Sequence, residues 1–383
     1  MRVAIVTESF PPDINGVAHC AWQTARHLAR RGHQPLVVTP ARRGEPAGPA
    51  AAAGADAAGP CPVVRVPSLP LPGYPQVRVA LPGRRLAAVL AGQRPDLIHL
   101  ASPFVLGARA MTAAARLGVP AVTVYQTDIA SYARVYLGMG DGLAWRRIRA
   151  VHGAADRTLA PSTAALRDLA EHGVPRVRLW PRGVDLERFQ PARRDVELRR
   201  ALAPAGELIV GYVGRLAPEK RVELLAGVCA LPGVRLVVVG EGPSAAALRA
   251  VLPGARFLGC RTGDELARIF ASLDVFVHPG TMETFCQTLQ EAQASGVPVV
   301  APAVGGPLDV VRHARTGLLV RPEDAGALAE AVQLLKASRR QRAEYGRAGR
   351  QSVLGRGWSV IGDLLLEHYQ EVLDRRTAPG VVA

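Results

Sequence analysis

Two short stretches in the second half of the chain carry side chains able to act together on a phosphorylated substrate. V-G-R-L-A-P-E-K, residues 213–220, holds Arg215 and Lys220, and M-E-T-F-C-Q-T-L-Q-E, residues 282–291, holds Glu283 and Glu291. An arginine fork and a lysine point charge aimed at a diphosphate can neutralise a leaving group without a metal ion. Of the 47 basic residues only Lys220 and Lys336 are lysine, so a lysine beside this turn is a marked choice in an arginine-rich chain. The bland alternative is a solvated loop cation. Glu283 and Glu291 are eight residues apart, and a bare pair at that spacing is as readily two surface glutamates.

The neighbouring elements favour the chemical reading. The apolar run Leu208 to Val213 reads as a strand that hands over to a loop at Gly214, the place where open α/β sheets bind phosphates. V-F-V-H-P, residues 275–279, reads as a buried strand, Pro279-Gly280 as a break, and residues 296–301 as the next strand. That unit sets Glu283 at the carboxyl end of a parallel sheet. The spacing predicts Glu283 at or just before a helix start and Glu291 two turns in, on nearly the same face, with Phe285, Leu289 and Ala292 as the inner stripe. Free amides at such a helix start would welcome a second anion.

Strands alternate with helices along the whole chain, which is the pattern of α/β, doubly wound parallel sheets. Short apolar runs at residues 3–7, 35–39, 63–66, 97–100, 121–125 and 158–160 form a first strand series, with helical periodicity at 19–31, 84–93, 105–117 and 162–171. A second series follows at residues 208–213, 235–239, 255–258, 275–277 and 297–301. The expected boundary lies near residue 190, giving domains 1–190 and 191–355 and a terminal amphipathic helix within 356–383. Ala47 to Pro60, poor in large side chains, reads as a mobile surface loop.

Over nearly its whole length the sequence resembles family 4 of the retaining glycosyltransferases, and within it the actinobacterial GDP-mannose-dependent α-mannosyltransferases that act on lipid acceptors. The resemblance is carried by V-T-E-S-F-P-P-D-I-N-G-V-A, S-L-P-L-P-G-Y-P, H-L-A-S-P-F-V-L-G, V-Y-Q-T-D, L-A-P-S-T, W-P-R-G-V-D-L-E-R-F and the two stretches above. It implies the GT-B architecture, two doubly wound Rossmann-like domains with a cleft between them: an acceptor domain, a donor domain, and a final helix crossing back to the first. It further implies that Arg215 and Lys220 hold the donor diphosphate, Glu283 the sugar hydroxyls and Glu291 the nucleotide ribose. Gly214, Thr284 and Phe285 fall among the donor contacts, and Asn15-Gly16 lies against the phosphates or acceptor. Gln126 and Asp128 become candidates for sugar or acceptor contacts, although many family members carry histidine where this chain has Gln126. The implied reaction is front-face transfer with retention, mannose from GDP-mannose being the first expectation. A UDP-sugar-dependent transferase, sulfoquinovosyl-transferase-like or tailoring a natural product, is the alternative.

Composition fits and prunes. A length of 383 residues suggests two domains, and no apolar stretch reaches the roughly 20 residues of a membrane span. No signal-peptide pattern follows Met1, and five cysteines without Cys-x-x-Cys spacing read as reduced thiols in a cytoplasm. No Asp-x-Asp occurs, so no metal is expected. The first turn, S-F-P-P-D-I-N-G, lacks the glycine spacing of a dinucleotide oxidoreductase, and V-G-E-G-P at 239–243 matches it only in part. A non-enzymatic polyanion-binding protein would explain the net charge of +15, but no nucleic-acid-binding motif appears and aromatics are 5%. Residues 1–190 carry 23 basic against 12 acidic side chains, which points to an anionic partner. The segment 143–157, with Trp145, Ile148 and Val151 beside Arg146, Arg147, Arg149 and Arg157, is either a helix lying on an anionic lipid surface or an ordinary helix with a solvated basic face.

Overall fold

The computed structural model describes residues 1–42, 48–49, 59–71, 74–81, 85–101, 103–128 and 141–377. The chain forms two compact units, Met1–Arg182 together with the chain from Trp358, and Gly183–Gly357.

The sheet of the first unit runs, edge to edge, Val177–Leu179, Arg157–Ala160, Ala121–Val124, Leu97–Leu100, Arg2–Val6, Gln34–Pro40, Val63–Val66 and Gly48–Pro49. Every pair is parallel except the last, which is antiparallel. Alternate side chains of one strand feed opposite cores: Val3 and Ile5 enter one apolar cluster, Ala4 and Val6 the other. A strand covered on both faces must be apolar at successive positions, which is why these runs were readable.

The second unit has a six-stranded parallel sheet, in order Arg256–Gly259, Val234–Val239, Leu208–Val213, Val275–Val277, Val299–Pro302 and Gly317–Val320. Ile209 and Val213 face one core, Val210 and Tyr212 the other. The edge strands Val177–Leu179 and Gly317–Val320 extend the sheets beyond the runs recognised in the sequence. They are short and partly exposed, so their apolar signal is weak.

The division between units lies at 182/183 and 357/358 rather than near 190 and 355. Val184 N–H donates to Arg356 carbonyl at 2.9 Å, and Phe189 is buried in the second unit's core, so residues 183–190 are tied to that unit. The helix Trp358–Thr377 packs within the first unit. There Trp180 Nε1 donates to Ile361 carbonyl at 2.9 Å and the Tyr369 hydroxyl lies 2.7 Å from His99 Nδ1.

Of the two readings of residues 143–157, the structure matches the ordinary helix with a solvated basic face. Trp145, Ile148 and Val151 on the helix Asp141–Ala154 are buried, and Trp145 stacks between Tyr125 and His172. The apolar stripe therefore belongs to the core and does not face lipid. Arg157 is buried too, held 2.7 Å from Glu371, while Arg146, Arg147 and Arg149 remain exposed. The stretch Ala47–Pro60 lies outside the described residues apart from Gly48–Pro49 and residues 59–60.

Candidate active site

Strand order decides where the second unit can bind a ligand. From Leu208–Val213 the chain steps outward to Val234–Val239 and Arg256–Gly259, then returns on the opposite side to Val275–Val277. The loops leaving Val213 and Val277 diverge there, opening a crevice at the sheet's carboxyl end.

The first loop is shaped by backbone contact. The Tyr212 hydroxyl donates to Arg215 carbonyl at 3.0 Å, and a Cβ on Gly214 would stand 2.7 Å from that phenol oxygen. A Cβ on Gly240 would stand 1.9 Å from Gly214 carbonyl, so the V-G-E-G-P turn is a close backbone approach that braces this loop. The loop then passes through a single 3-10 turn, Pro218–Lys220, and its two cations, Arg215 and Lys220, are paired differently. The Arg215 guanidinium is paired with the buried carboxylate of Glu219, and Lys220 Nζ donates to Glu283 Oε1 at 2.5 Å. Sequence distance between Lys220 and Glu283 is 63 residues; the sheet makes them neighbours.

The second loop is pinned at both ends of its functional stretch. Gly306 N–H donates to Glu283 carbonyl at 2.8 Å, and Phe285 is sunk in the core. His278, directly after the strand, brings Nε2 to 3.1 Å from Glu283 Oε1. Burial alone would raise the Glu283 carboxyl, but the Lys220 ammonium and His278 outweigh it and hold it down to about 2. Burial alone would lower His278, but Cys286 and Glu283 outweigh it and push it up to about 9. The result is an ionised carboxylate between two cations, held ready to accept hydrogen bonds.

Glu283 does not sit at a helix start. The helix is Gln287–Ala294, and Cys286, its N-cap, adopts a left-handed φ of 71°. Residues 283–286 are an irregular loop, so the expected common helical face of Glu283 and Glu291 does not exist. The periodicity argument fails because Phe285 is buried by loop packing, which mimics a helical stripe in the sequence. Glu291 is the fifth helical residue, one turn in rather than two. Burial lifts its carboxyl to about 8, opposed by the Gln287 side chain. Its N-cap residue, Cys286, makes no side-chain cap hydrogen bond, and a helix start attracts phosphate. Thr284 lies between Glu283 and Phe285, half-buried.

Gly16, Gln126 and Asp128 belong to the first unit. Asn15 caps the helix Gly16–Arg30 by accepting from Ala18 N–H at 2.9 Å, and a Cβ on Gly16 would meet nothing within 4 Å. Gln126, just past the strand Ala121–Val124, is buried, and its Oε1 accepts from Arg182 Nη2 at 2.6 Å. Asp128 Oδ1 accepts from the Tyr125 hydroxyl at 3.4 Å.

Sequence reasoning passed over Glu219, His278, Arg182 and Glu8. His278 and Glu8 stood in the quoted V-F-V-H-P and V-T-E-S-F stretches directly after an apolar run, a position that by itself marks a loop facing the sheet's carboxyl end. Glu219 and Arg182 had no such signal, because each is recognised only by its partner.

Two family descriptions match: residues 14–188 match Glycosyltransferase Family 4 and residues 194–352 match Glycosyl transferases group 1. A GDP-mannose-dependent alpha-mannosyltransferase from Mycolicibacterium smegmatis is 49% identical, covering 98% of this chain and 99% of its own length. The protein of the same description from Mycobacterium tuberculosis is 48% identical, covering 98% of each. Among solved structures, sucrose-phosphate synthase from Thermosynechococcus elongatus superposes with a TM-score of 0.79 at 23% identity, covering 98% of this chain and 99% of that one. That likeness is one of fold: two Rossmann-like units in the GT-B arrangement.

Proposed function

The chain belongs to glycosyltransferase family 4, and we propose that it moves mannose from GDP-mannose to a hydroxyl of a lipid or glycolipid acceptor with retention at the anomeric carbon. The observation that carries the donor site is the meeting of Lys220 and Glu283 at the switch point, with Arg215 on the same loop. The relatives that are GDP-mannose-dependent alpha-mannosyltransferases carry the choice of donor.

In this reading the acceptor oxygen bonds to the anomeric carbon as the carbon–phosphate oxygen bond breaks. The acceptor proton passes to the departing phosphate oxygen, and GDP leaves. Arg215 and Lys220 stabilise the charge growing on the diphosphate, each such preorganised donor being worth about 10²- to 10³-fold in rate. Glu283 accepts hydrogen bonds from the sugar hydroxyls, and Glu291 from the ribose. Thr284 and Phe285 line the donor, and the backbone at Gly214 and Gly16 lies against the phosphates or acceptor. Gln126 and Asp128 meet the sugar or the acceptor. No step in this scheme uses a metal ion.

No helix among the described residues is long and apolar enough to cross a membrane. A lipid acceptor is instead met at the cytoplasmic face by the exposed Arg146, Arg147 and Arg149 and the surplus positive charge of the first unit, without insertion of apolar side chains. A thermal-shift comparison of GDP-mannose, UDP-glucose and UDP-N-acetylglucosamine tests the donor. Stabilisation by GDP-mannose above the others is expected; preference for a UDP-sugar would overturn the assignment.

A further inference from the structure

The second unit holds a set of side chains that sugar transfer does not use in full. His278, Glu283 and Cys286 each offer one ligand atom, and the imidazole nitrogen, carboxylate oxygen and sulfur lie within 4.8 Å of one another. His278 and Cys286 are 2% and 4% exposed. Neither ring nitrogen of His278 has a hydrogen-bond partner of good geometry. The Cys286 sulfur lies 3.7 Å from Thr288 Oγ1 and beside the His278 imidazole. Loop and strand hold the set together: His278 follows Val275–Val277, Glu283 is fastened through Gly306, and Cys286 caps the next helix in a left-handed conformation.

A nitrogen, oxygen and sulfur set suits zinc and its soft neighbours and is foreign to magnesium or calcium, which take oxygen ligands. Zinc holds sulfur at about 2.3 Å and nitrogen or oxygen at about 2.0–2.2 Å, leaving a fourth position for water. Atoms already within 4.8 Å of one another close around such an ion with modest side-chain movement.

We propose that His278, Glu283 and Cys286 form a binding site for a divalent cation of the zinc class, and that filling it shuts off the transferase. The ion takes the imidazole as a neutral ligand and the thiol as thiolate, releasing the imidazolium proton and the thiol proton to solvent with no change of oxidation state. It also takes Glu283 from Lys220, whose ammonium is the competing cation at 2.5 Å. Binding stands on the geometry alone; inhibition rests on the reading of Glu283 as a donor contact.

The test titrates full-length protein, free of donor, with Cd²⁺ and follows the thiolate-to-cadmium absorption in the ultraviolet. One equivalent of that signal should disappear in Cys286→Ser, and Zn²⁺ should displace it from the native protein. Zn²⁺ should inhibit mannosyl transfer at micromolar concentration, Mg²⁺ and Ca²⁺ should not at millimolar, and Cys286→Ser should raise the inhibiting Zn²⁺ concentration at least about tenfold. His278→Gln, which keeps the thiol, should also weaken Cd²⁺ binding by about tenfold and serves if the serine variant does not fold. An absorption signal equal in native protein and both variants would overturn the site. Cd²⁺ binding lost in Cys286→Ser, with native transfer indifferent to bound Zn²⁺, would keep the site and overturn the assignment of Glu283 to the donor.

Discussion

The two units share a topology and differ in what stands at the reversal of strand order. In the first, the reversal lies between Arg2–Val6 and Leu97–Leu100, and Glu8 fills it: its Oε1 accepts from Leu106 N–H at 2.6 Å and Gly107 N–H at 3.3 Å, at the start of the helix Val105–Leu117. In the second, Lys220 and Glu283 meet across the reversal, with Arg215 on the same loop. A helix start attracts an anion in either place. The first unit fills that place with a carboxyl group of its own chain, and in the proposed function the donor diphosphate takes it in the second. Rossmann topology thus makes two crevices of equal standing, and in the proposed function the side chains decide which takes the diphosphate.

The largest effect that follows is on catalysis. Lys220→Ala and Arg215→Ala should each lower kcat/KM by at least about tenfold and up to about 10³-fold. The double variant should lose less than the product, since both serve one charge. Near-native turnover of either single variant in steady-state kinetics would erase the difference between the crevices.

The Glu8 carboxyl is next. Burial lifts it to about 7, against the pull of the Leu106 and Gly107 amides. A carboxyl raised in the folded state holds its proton there above the pH at which the unfolded chain loses it, so stability falls as pH climbs from about 4.5 to 7. Glu8→Gln keeps an acceptor for the amides and carries no charge. Its stability relative to native protein should improve between pH 4.5 and 8, by about 3 kcal/mol at most. Denaturant unfolding of the variant and native protein at both pH values measures this, and a difference independent of pH would mean that Glu8 is ionised throughout.

The two glutamates of the second unit sharpen the comparison from inside. Glu291→Ala should weaken free GDP by about tenfold, because it meets the ribose, whereas Glu283→Gln should leave GDP affinity unchanged and cut transfer. Calorimetry giving the opposite pattern would reverse the orientation of the donor along the crevice. The smallest effect expected is none: excess EDTA should leave transfer intact, since two cations occupy the metal's usual role. A strict magnesium or manganese requirement would mean that Arg215 and Lys220 do not suffice for the leaving group.

Apolar runs buried on both sheet faces, such as Leu208 to Val213, and loop residues placed directly after them, such as Arg215, could be read without coordinates because each depends on a few neighbouring positions. The same reasoning left two readings open for Trp145, Ile148 and Val151, since an amphipathic pattern says that one face is covered without saying by what. It misread Glu283 because the periodicity of Phe285, Leu289 and Ala292 extends past the true helix start into a loop that is also buried.

The amino-acid sequence by itself determined the α/β class, the two strand series and the loop bearing Arg215 and Lys220, all of them consequences of local periodicity and of charge beside a strand end. Tertiary structure alone decided that Lys220 meets Glu283, that Glu219 holds Arg215, that Arg182 fixes Gln126 and that Glu8 closes the first unit's crevice. Each of those pairs involves a polar group whose ionisation and direction are set by partners and burial, most of them far away along the chain. Sheet order supplies those partners, and no local pattern encodes it.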